Sequence, residues 1–418
     1  MTQLSELSQQ LPGQDLKFLG STPYVYHCHH FNLFHDQTVE DALGEEEGFT
    51  IRSRAAQSAA WQLLSDVVAQ TGASTPAERL QLAAAVFPWM GQGRLELLAE
   101  AGGGAVRGDH LHYSFAWREK YGSRVRRNFP IDAFAAGFAA AATEVAFSLP
   151  PGTLSSSEES CFACRQPACG FELERRGEEA QVEPVGREVF LRHIHNPGQG
   201  LEEARIAEIA TGLNEFLLGV EGDERGLVQG FGIFITRHLS SYYDQTAYDS
   251  IHYIEKHAPQ ATGAVEQLFG ESGHVCAFYT IGNILLSPEW EAMVGKLQGE
   301  VVEIVSSATA ITRALGFGHW TIEELEPDQR LVMRSSSNYE SPFYVERYGH
   351  SDKPRCYFFA NAARAIMQLA HRVEWASRPD LTEDLYLSLF KSGLQWRVEE
   401  TRCRSKGDET CEVVVTRG

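Results

Sequence analysis

The sequence predicts an α+β protein of two similar domains, each a small antiparallel sheet packed with helices and a cysteine knuckle, joined by a helical hairpin. Three observations predict it. A pair of cysteines eight residues apart, preceded by acidic residues, occurs twice: Glu158-Glu159-Ser160-Cys161 to Cys169, and Glu399-Glu400-Thr401-Arg402-Cys403 to Cys411. Each pair leads into a strand-like run, Phe171-Glu172-Leu173 and Val413-Val414-Val415. Five further landmarks precede the pair in the same order in both halves, which is the mark of an internal repeat. The first copy is placed at 20–176 and the second at 273–418, with 177–272 as linker and hairpin; 418 residues suffice for two or three domains.

The first landmark is an opening segment, Val25 to Leu33 in copy one and Val275 to Ile284 in copy two, each leading to a helical stretch. A helix follows near Glu78 and near Glu303, the earlier one with Thr75-Pro76 as cap and first turn. Both helices run into Gly-x-Gly, Gly91-Gln92-Gly93 and Gly316-Phe317-Gly318, read as a left-handed exit into a strand. Leu95-Glu96-Leu97 and Trp320-Thr321-Ile322 are those strands. Strand-like stretches at Leu111–Phe115 and Leu331–Ser335 then precede Arg118-Glu119-Lys120-Tyr121-Gly122 and Val345-Glu346-Arg347-Tyr348-Gly349. An alanine-rich helix (Ile131 to Phe147; Tyr357 to Val373) leads to each knuckle. Between the copies, Leu201, Ile206, Ile209, Leu213, Phe216 and Leu217 recur at helical spacing, as do Ile251, Ile254, Val265 and Leu268. Residues 201–271 therefore read as two amphipathic helices.

Thiolates and a carboxylate can make a closed tetrahedral zinc site, and Gly407-Asp408 supplies a turn that folds one thiolate back over the other. Cys164 lies inside the first pair and Cys356 upstream of the second, so each copy has a further sulfur to offer. Disulfides are the rival reading, weakened by the absence of a secretory signal. Buried, inert cysteines are the plainer one. The net charge of −20 argues against nucleic acid, whose phosphates it would repel. No run of about 18 apolar residues offers a membrane span. A reducing cytoplasm fits the cysteine usage.

The copies differ most at the opening segment. Copy two has Cys276-Ala277-Phe278-Tyr279-Thr280, mostly apolar, where copy one has His27-Cys28-His29-His30. Four polar, reactive groups in a row are costly to bury unless used. Cys28 can serve as a nucleophile activated by a histidine. Alternatively, the histidines can bind a catalytic metal, with His110-Leu111-His112 and His193-Ile194-His195 as further pairs; imidazole suits iron, copper or zinc. The third reading is that these histidines form satisfied core hydrogen bonds or lie at the surface. Asn32 shares a helical face with Cys28. His319, Trp320, Tyr344 and Tyr348 are placed beside a ligand pocket in copy two.

Copy two resembles the 4-vinyl reductase domain family, found in bacteriochlorophyll-synthesis proteins and in the sensory domains of phenol- and xylene-responsive activators. The resemblance rests on Gly316-Phe317-Gly318, on Pro354-Arg355-Cys356-Tyr357, and on Glu400-x2-Cys403-x7-Cys411 with Gly407-Asp408. It implies a structural zinc held by Cys356, Glu400, Cys403 and Cys411, with Glu399 as a substitute for Glu400. Copy one resembles the family more weakly. Ile131 or Asp132 falls where the upstream cysteine should be, so Cys164 is expected to join Cys161 and Cys169, with Glu158 or Glu159 completing the set. The family's ATPase and DNA-binding parts are absent. The resemblance further implies a pocket for a hydrophobic or aromatic small molecule, two zincs per chain and a homodimer. The functional expectation is a metabolic enzyme acting at the His/Cys pocket of copy one; the alternatives are a ligand-binding regulatory protein and a His-ligated iron or copper enzyme.

Overall fold

The computed structural model describes residues 4–11, 13–177, 184–192 and 198–418. Helices and three antiparallel sheets alternate in the order the repeat requires. Copy one opens with a hairpin of β2 (Lys17–Leu19) and β3 (Thr22–Cys28), extended at its edge by β1 (Ser8–Gln10). Then come α1 (His29–Leu43), α2 (Glu45–Thr71) and α3 (Pro76–Trp89). Thr75 and Glu78 close a capping box on α3, and Pro76 occupies its first turn, as the sequence indicates. Strands β4 (Arg94–Leu97) and β5 (Gly103–Asp109) follow, then α4 (His112–Tyr121), α5 (Ala133–Ala146), β6 (Leu154–Ser160) and β7 (Cys169–Arg175). The sheet order is β4-β5-β7-β6.

A helix α6 (Glu203–Gly219) connects to the second half. There β8 (Val228–Gly230) and β9 (Ile233–Leu239) form a hairpin, followed by α7 (Ser240–His257), α8 (Thr262–Val275) and α9 (Val301–Ala314). Strands β10 (Gly318–Glu326) and β11 (Arg330–Asn338), helices α10 (Glu340–Tyr348) and α11 (Tyr357–Arg372), and strands β12 (Trp396–Arg402) and β13 (Cys411–Arg417) complete it. Their order, β10-β11-β13-β12, repeats that of copy one.

The Gly-x-Gly turns are steric necessities. Gly93 has φ +98° and Gly318 φ +113°, and a Cβ at Gly318 would lie 1.8 Å from the Ser337 carbonyl oxygen. Only glycine fits where the helix exit is threaded this tightly against the neighbouring strand.

Three sequence expectations need correction. Leu111–Phe115 is not a strand: α4 begins at His112, where the Ser114 amide donates to the Asp132 carboxylate at 3.1 Å. That tertiary bond overrides the β propensity of Tyr113 and Phe115. Val275 to Ile284 is not an opening segment. It continues α8 through a buried π-turn, Cys276–Ile281, because a short apolar run does not distinguish strand from buried helix. The counterpart of β3 is β9, inside the 201–271 stretch read as two helices, so the second half opens at Val228 and not at 273.

The hairpins reveal how the halves meet. Strands β3 and β9 pair antiparallel with Tyr26 opposite Arg237, joining both hairpins into one sheet of order β1-β2-β3-β9-β8. Three of the side-chain bonds that cross this join share one separation: Arg237 Nε to Tyr26 Oη at 3.2 Å, Tyr243 Oη to Asn32 Oδ1 at 2.6 Å, and His35 Nε2 with Thr246 Oγ1 at 2.7 Å. Every pair is separated by 211 residues. Like meets like at one offset, which defines a local twofold axis through Tyr26 and Arg237.

Candidate metal centres and ligand cavities

Each knuckle is built in the same way. The strand carrying the glutamate is bulged between that residue and the first cysteine, at Glu158/Ser160 and at Glu400/Arg402. An extra residue at this point turns the carboxylate toward the cysteines. One 3-10 turn follows, ended by a left-handed residue, Arg165 in copy one and Gly407 in copy two. The chain thereby returns the second thiol over the first.

In copy two Cys356, Glu400, Cys403 and Cys411 converge, their ligand atoms all within 4.8 Å of one another. The Cys356 sulfur lies 3.7 Å from that of Cys403 and 3.5 Å from that of Cys411. Tetrahedral coordination with Zn–S of ~2.3 Å would space sulfurs by ~3.8 Å, so the cage has the right size. Glu400 accepts the Cys356 amide through Oε2 at 3.2 Å, while its buried Oε1 has no partner. The Arg404 amide donates to the Cys411 sulfur at 3.5 Å, and Ser341 Oγ accepts from Cys411 at 3.5 Å. Burial, and then the nearby Cys403, push the Glu400 carboxyl well above its ordinary range. A cation bound here would supply what this buried acceptor lacks.

Copy one repeats the construction with one substitution. Its group is Asp132, Glu158, Cys161 and Cys169. Glu158 Oε2 accepts the Asp132 amide at 2.8 Å and leaves Oε1 without a partner, the same arrangement as at Glu400. Asp132 Oδ2 lies 3.7 Å from the Cys161 sulfur and 3.2 Å from that of Cys169. Cys164 is therefore not the missing ligand: it is half-buried on the 3-10 turn, outside the group. Asp132 stands one residue before the alanine-rich helix, where copy two has Cys356, and that position was the signal available in the sequence. Both groups can hold a metal ion.

The His27–His30 segment does not assemble a reactive centre. Cys28 ends β3 and is buried, and desolvation raises its thiol pKa, the reverse of activation. His27 is sandwiched between Phe31, with ring centroids 3.6 Å apart, and Phe317 at 4.8 Å. His30 stacks on Tyr279 at 4.0 Å. Burial lowers His29 to about 4 and His30 to about 2, so both are held neutral. Among the described residues neither metal-competent group includes a histidine. His193 and His195 lie outside the described residues.

Asn32 and His112 do meet, at 2.9 Å, but Asn32 also donates to Thr236 and accepts from Tyr243, leaving it saturated inside the join. Trp320 is core, edge-on to Phe359 at 4.7 Å. Tyr344 and Tyr348 do not line a cavity; they fill one. Tyr248 and Tyr348 pack on Tyr344 at 4.9 and 5.3 Å, the Arg355 guanidinium covers it at 5.2 Å, and Tyr348 donates to Asp249 at 2.7 Å.

The equivalent place in copy one is open. There Gln37, Trp117, Tyr121 and Ile131 stand where copy two has Tyr248, Tyr344, Tyr348 and Arg355. The result is a cavity of about 440 Å³ walled by Leu33, Phe34, Trp117, Tyr121, Val125 and Ile131, with Arg126, Arg127 and Asn128 at one side. Arg127 is fixed by Glu40 at 2.5 Å, and Glu40 also holds the fully buried Arg52, which binds Asp36 at 2.9 Å. Neither the cavity nor this ion network was visible in the sequence, because its members come from three separated segments.

No family model matches the chain, and no curated protein matches it. Among solved structures, a similar chain is the phenol-responsive sensory domain of the transcription activator PoxR, in a crystal structure with phenol. It is 16% identical, with a TM-score of 0.35, over 41% of this chain and 86% of that one.

Proposed function

We propose that this chain is a small-molecule-binding protein built from two 4-vinyl-reductase-like domains, with the ligand cavity in copy one and a structural zinc in each knuckle. The observation that carries the reading is the asymmetry across the join. One place in the repeat is packed solid by tyrosine and arginine in copy two and left as a 440 Å³ cavity in copy one. That volume, with aromatic walls and a few polar groups on one side, is of the usual kind for a small organic ligand. An aromatic or apolar ring would lie against Trp117 and Tyr121, with its polar edge toward Arg126 and Asn128.

The zincs would be held by Cys356, Glu400, Cys403 and Cys411, and by Asp132, Glu158, Cys161 and Cys169. A bound zinc supplies a crosslink, since four protein ligands leave no open position for a substrate. In copy one it would fasten the start of α5 to the β6–β7 hairpin, and so fix Ile131 on the cavity wall. Binding without turnover fits the burial of Cys28 better than nucleophilic catalysis does. The role is that of a ligand-responsive regulator whose signal passes through the join.

Titration with phenol and with benzoate, followed by tryptophan fluorescence and calorimetry, tests the reading. Saturable binding of at least one compound is expected, and Trp117→Ala should weaken it tenfold or more while metal content stays at two zincs per chain. Absence of binding to either compound, or full affinity in the variant, would remove the cavity from consideration.

A further inference from the structure

A small chamber, of about 30 Å³, lies where α1 of copy one packs on α7. Helices α1, α7 and α8 and the starts of α10 and α11 supply its walls. Since ~10–15 Å³ of such space holds one water, there is room for one or two particles of that size. Most of the wall is aromatic: Phe31, Tyr243, Tyr248, Phe269, Tyr357 and Phe358. The hydroxyls of Tyr243, Tyr248 and Tyr357 donate elsewhere, to Asn32, to the Arg355 carbonyl and to Glu266. These tyrosines therefore offer the chamber ring surface and no donor.

Two carboxyls share this chamber without a counter-charge. Asp244, on α7, is 3% exposed, and its buried Oδ2 has no hydrogen-bond partner. Glu340, at the start of α10, accepts the Phe358 and Phe359 amides at 2.9 and 3.0 Å. Burial, and then Glu340, push Asp244 well above its ordinary range; burial raises Glu340 to about 8 against the pull of the two amides. No cationic side chain acts on either carboxyl. Arg355 pairs its guanidinium with Glu255 and Glu266 instead. The other titratable groups facing the chamber are His35, held neutral by burial, and Tyr339, whose hydroxyl burial keeps protonated. The second knuckle would add no positive charge, because three thiolates and a carboxylate exceed the charge of a divalent ion. Nor does the fold require an acid here: at the 211-residue offset that relates Tyr243 to Asn32, Asp244 takes the place of Leu33.

We propose that this chamber binds one weakly hydrated monovalent cation, potassium or ammonium, held by the Asp244 carboxylate with Glu340 beside it and faced by aromatic rings. Such an ion has about the radius of a water molecule, and an aromatic face attracts it once it is desolvated. Divalent ions fit poorly. Magnesium holds on to its waters, and calcium takes ~6–8 oxygen ligands, more than two carboxyls supply. As the ion enters, Asp244 releases its proton to solvent, so the charge inside the chamber does not change. The bound ion would tie α7 to the start of α11, next to the knuckle residue Cys356. The site is separate from the copy-one cavity.

The test is thermal unfolding of the full chain at fixed free zinc and constant ionic strength, in potassium, ammonium or choline chloride. Choline is too large for the chamber. Tm should rise saturably in potassium or ammonium, by about 2 °C or more over choline. The ion with the lower half-saturation is the occupant, and the rise should grow with pH as the competing proton is lost. Thallium(I), a stand-in for potassium, should give a bound ²⁰⁵Tl resonance that potassium displaces. Asp244→Asn should abolish both effects, and Glu215→Gln, which removes a solvent-exposed acid, should abolish neither. Should Asp244→Asn fail to fold, Asp244→Leu, which carries the copy-one side chain, and the wild-type thallium resonance decide. Equal Tm in all three salts, no thallium resonance displaced by potassium, or a potassium effect that survives at a substituted Asp244 would overturn the proposal.

Discussion

At the scale of single residues, the two knuckles differ by one donor, and that donor sets how tightly each can hold a metal. Copy two offers three sulfurs and one oxygen; copy one offers two of each, with Asp132 in place of Cys356. Thiolate is the softer ligand and favours zinc over the harder divalent ions. Copy one should therefore release zinc first to a chelator, and Asp132→Cys should slow that release toward the rate of copy two. Glu400→Gln keeps the shape but removes the charge from a buried ligand. It should cost copy two more than the ~10–100-fold in affinity typical of losing an outer-shell partner. Chelator competition followed by metal analysis separates the sites; equal release from both would show that donor type is not the controlling difference. Much of this chemistry was legible in the sequence, since cysteine spacing is a local property. For Asp132 the only signal is its position before the alanine-rich helix; residue type alone does not mark an aspartate as a ligand until the fold brings it to two thiols.

At the scale of elements, legibility followed the steric landmarks. The alanine-rich helices and the strands after the knuckles were readable from periodicity, and the glycine turns from the two matching Gly-x-Gly triplets. The β8–β9 hairpin was not. It holds no cysteine, its Gly230-Phe231-Gly232 triplet sits in a hairpin turn and not at a helix exit, and its first strand is only three residues long. The repeat also drifts in register: the offset is 211 residues at the hairpins and 403 − 161 = 242 at the knuckles, so insertions intervene. The glycine turns themselves give a direct prediction. Gly318→Ala places a methyl group 1.8 Å from a carbonyl oxygen at φ +113°, and β10 must shift to admit it. A loss of about 3 kcal/mol or more is expected, given that a strained backbone alone costs ~1–3 kcal/mol. Thr75→Ala, which removes only the hydroxyl half of the α3 cap, should cost about 1 kcal/mol. Urea denaturation distinguishes them, and similar values for both would mean the turn relaxes freely.

For the whole molecule, the join between the copies is where pH should be felt. His27, His35, His112 and His238 are buried there, His274 is buried in the second half, and His29 and His30 are half-buried beside the join. Desolvation depresses all seven, His35 and His238 to about 3. A group with a depressed cationic pKa is protonated only in the unfolded chain between its folded value and ~6.5, so its contribution weakens the fold as pH drops through that range. Buried carboxyls act in the opposite sense. Burial raises Asp36 to about 6, Glu144 to about 7, Glu340 to about 8 and Asp244 well up, so the folded chain keeps protons there that the unfolded chain gives away. Near pH 7 the two sets roughly offset, because few unfolded histidines are yet charged. Near pH 5 seven histidines take up protons on unfolding while four carboxyls lose them, a net of three. Each net proton corresponds to ~1.4 kcal/mol per pH unit, so stability should fall by about 4 kcal/mol per unit near pH 5 while staying nearly flat around neutrality. Denaturant curves at fixed free zinc measure the slope. His35→Gln, whose amide can still reach Thr246, should reduce the slope by about one proton while leaving stability at pH 7 nearly unchanged. An unaltered slope in that variant would move the acid sensitivity away from the twofold join and onto the knuckles.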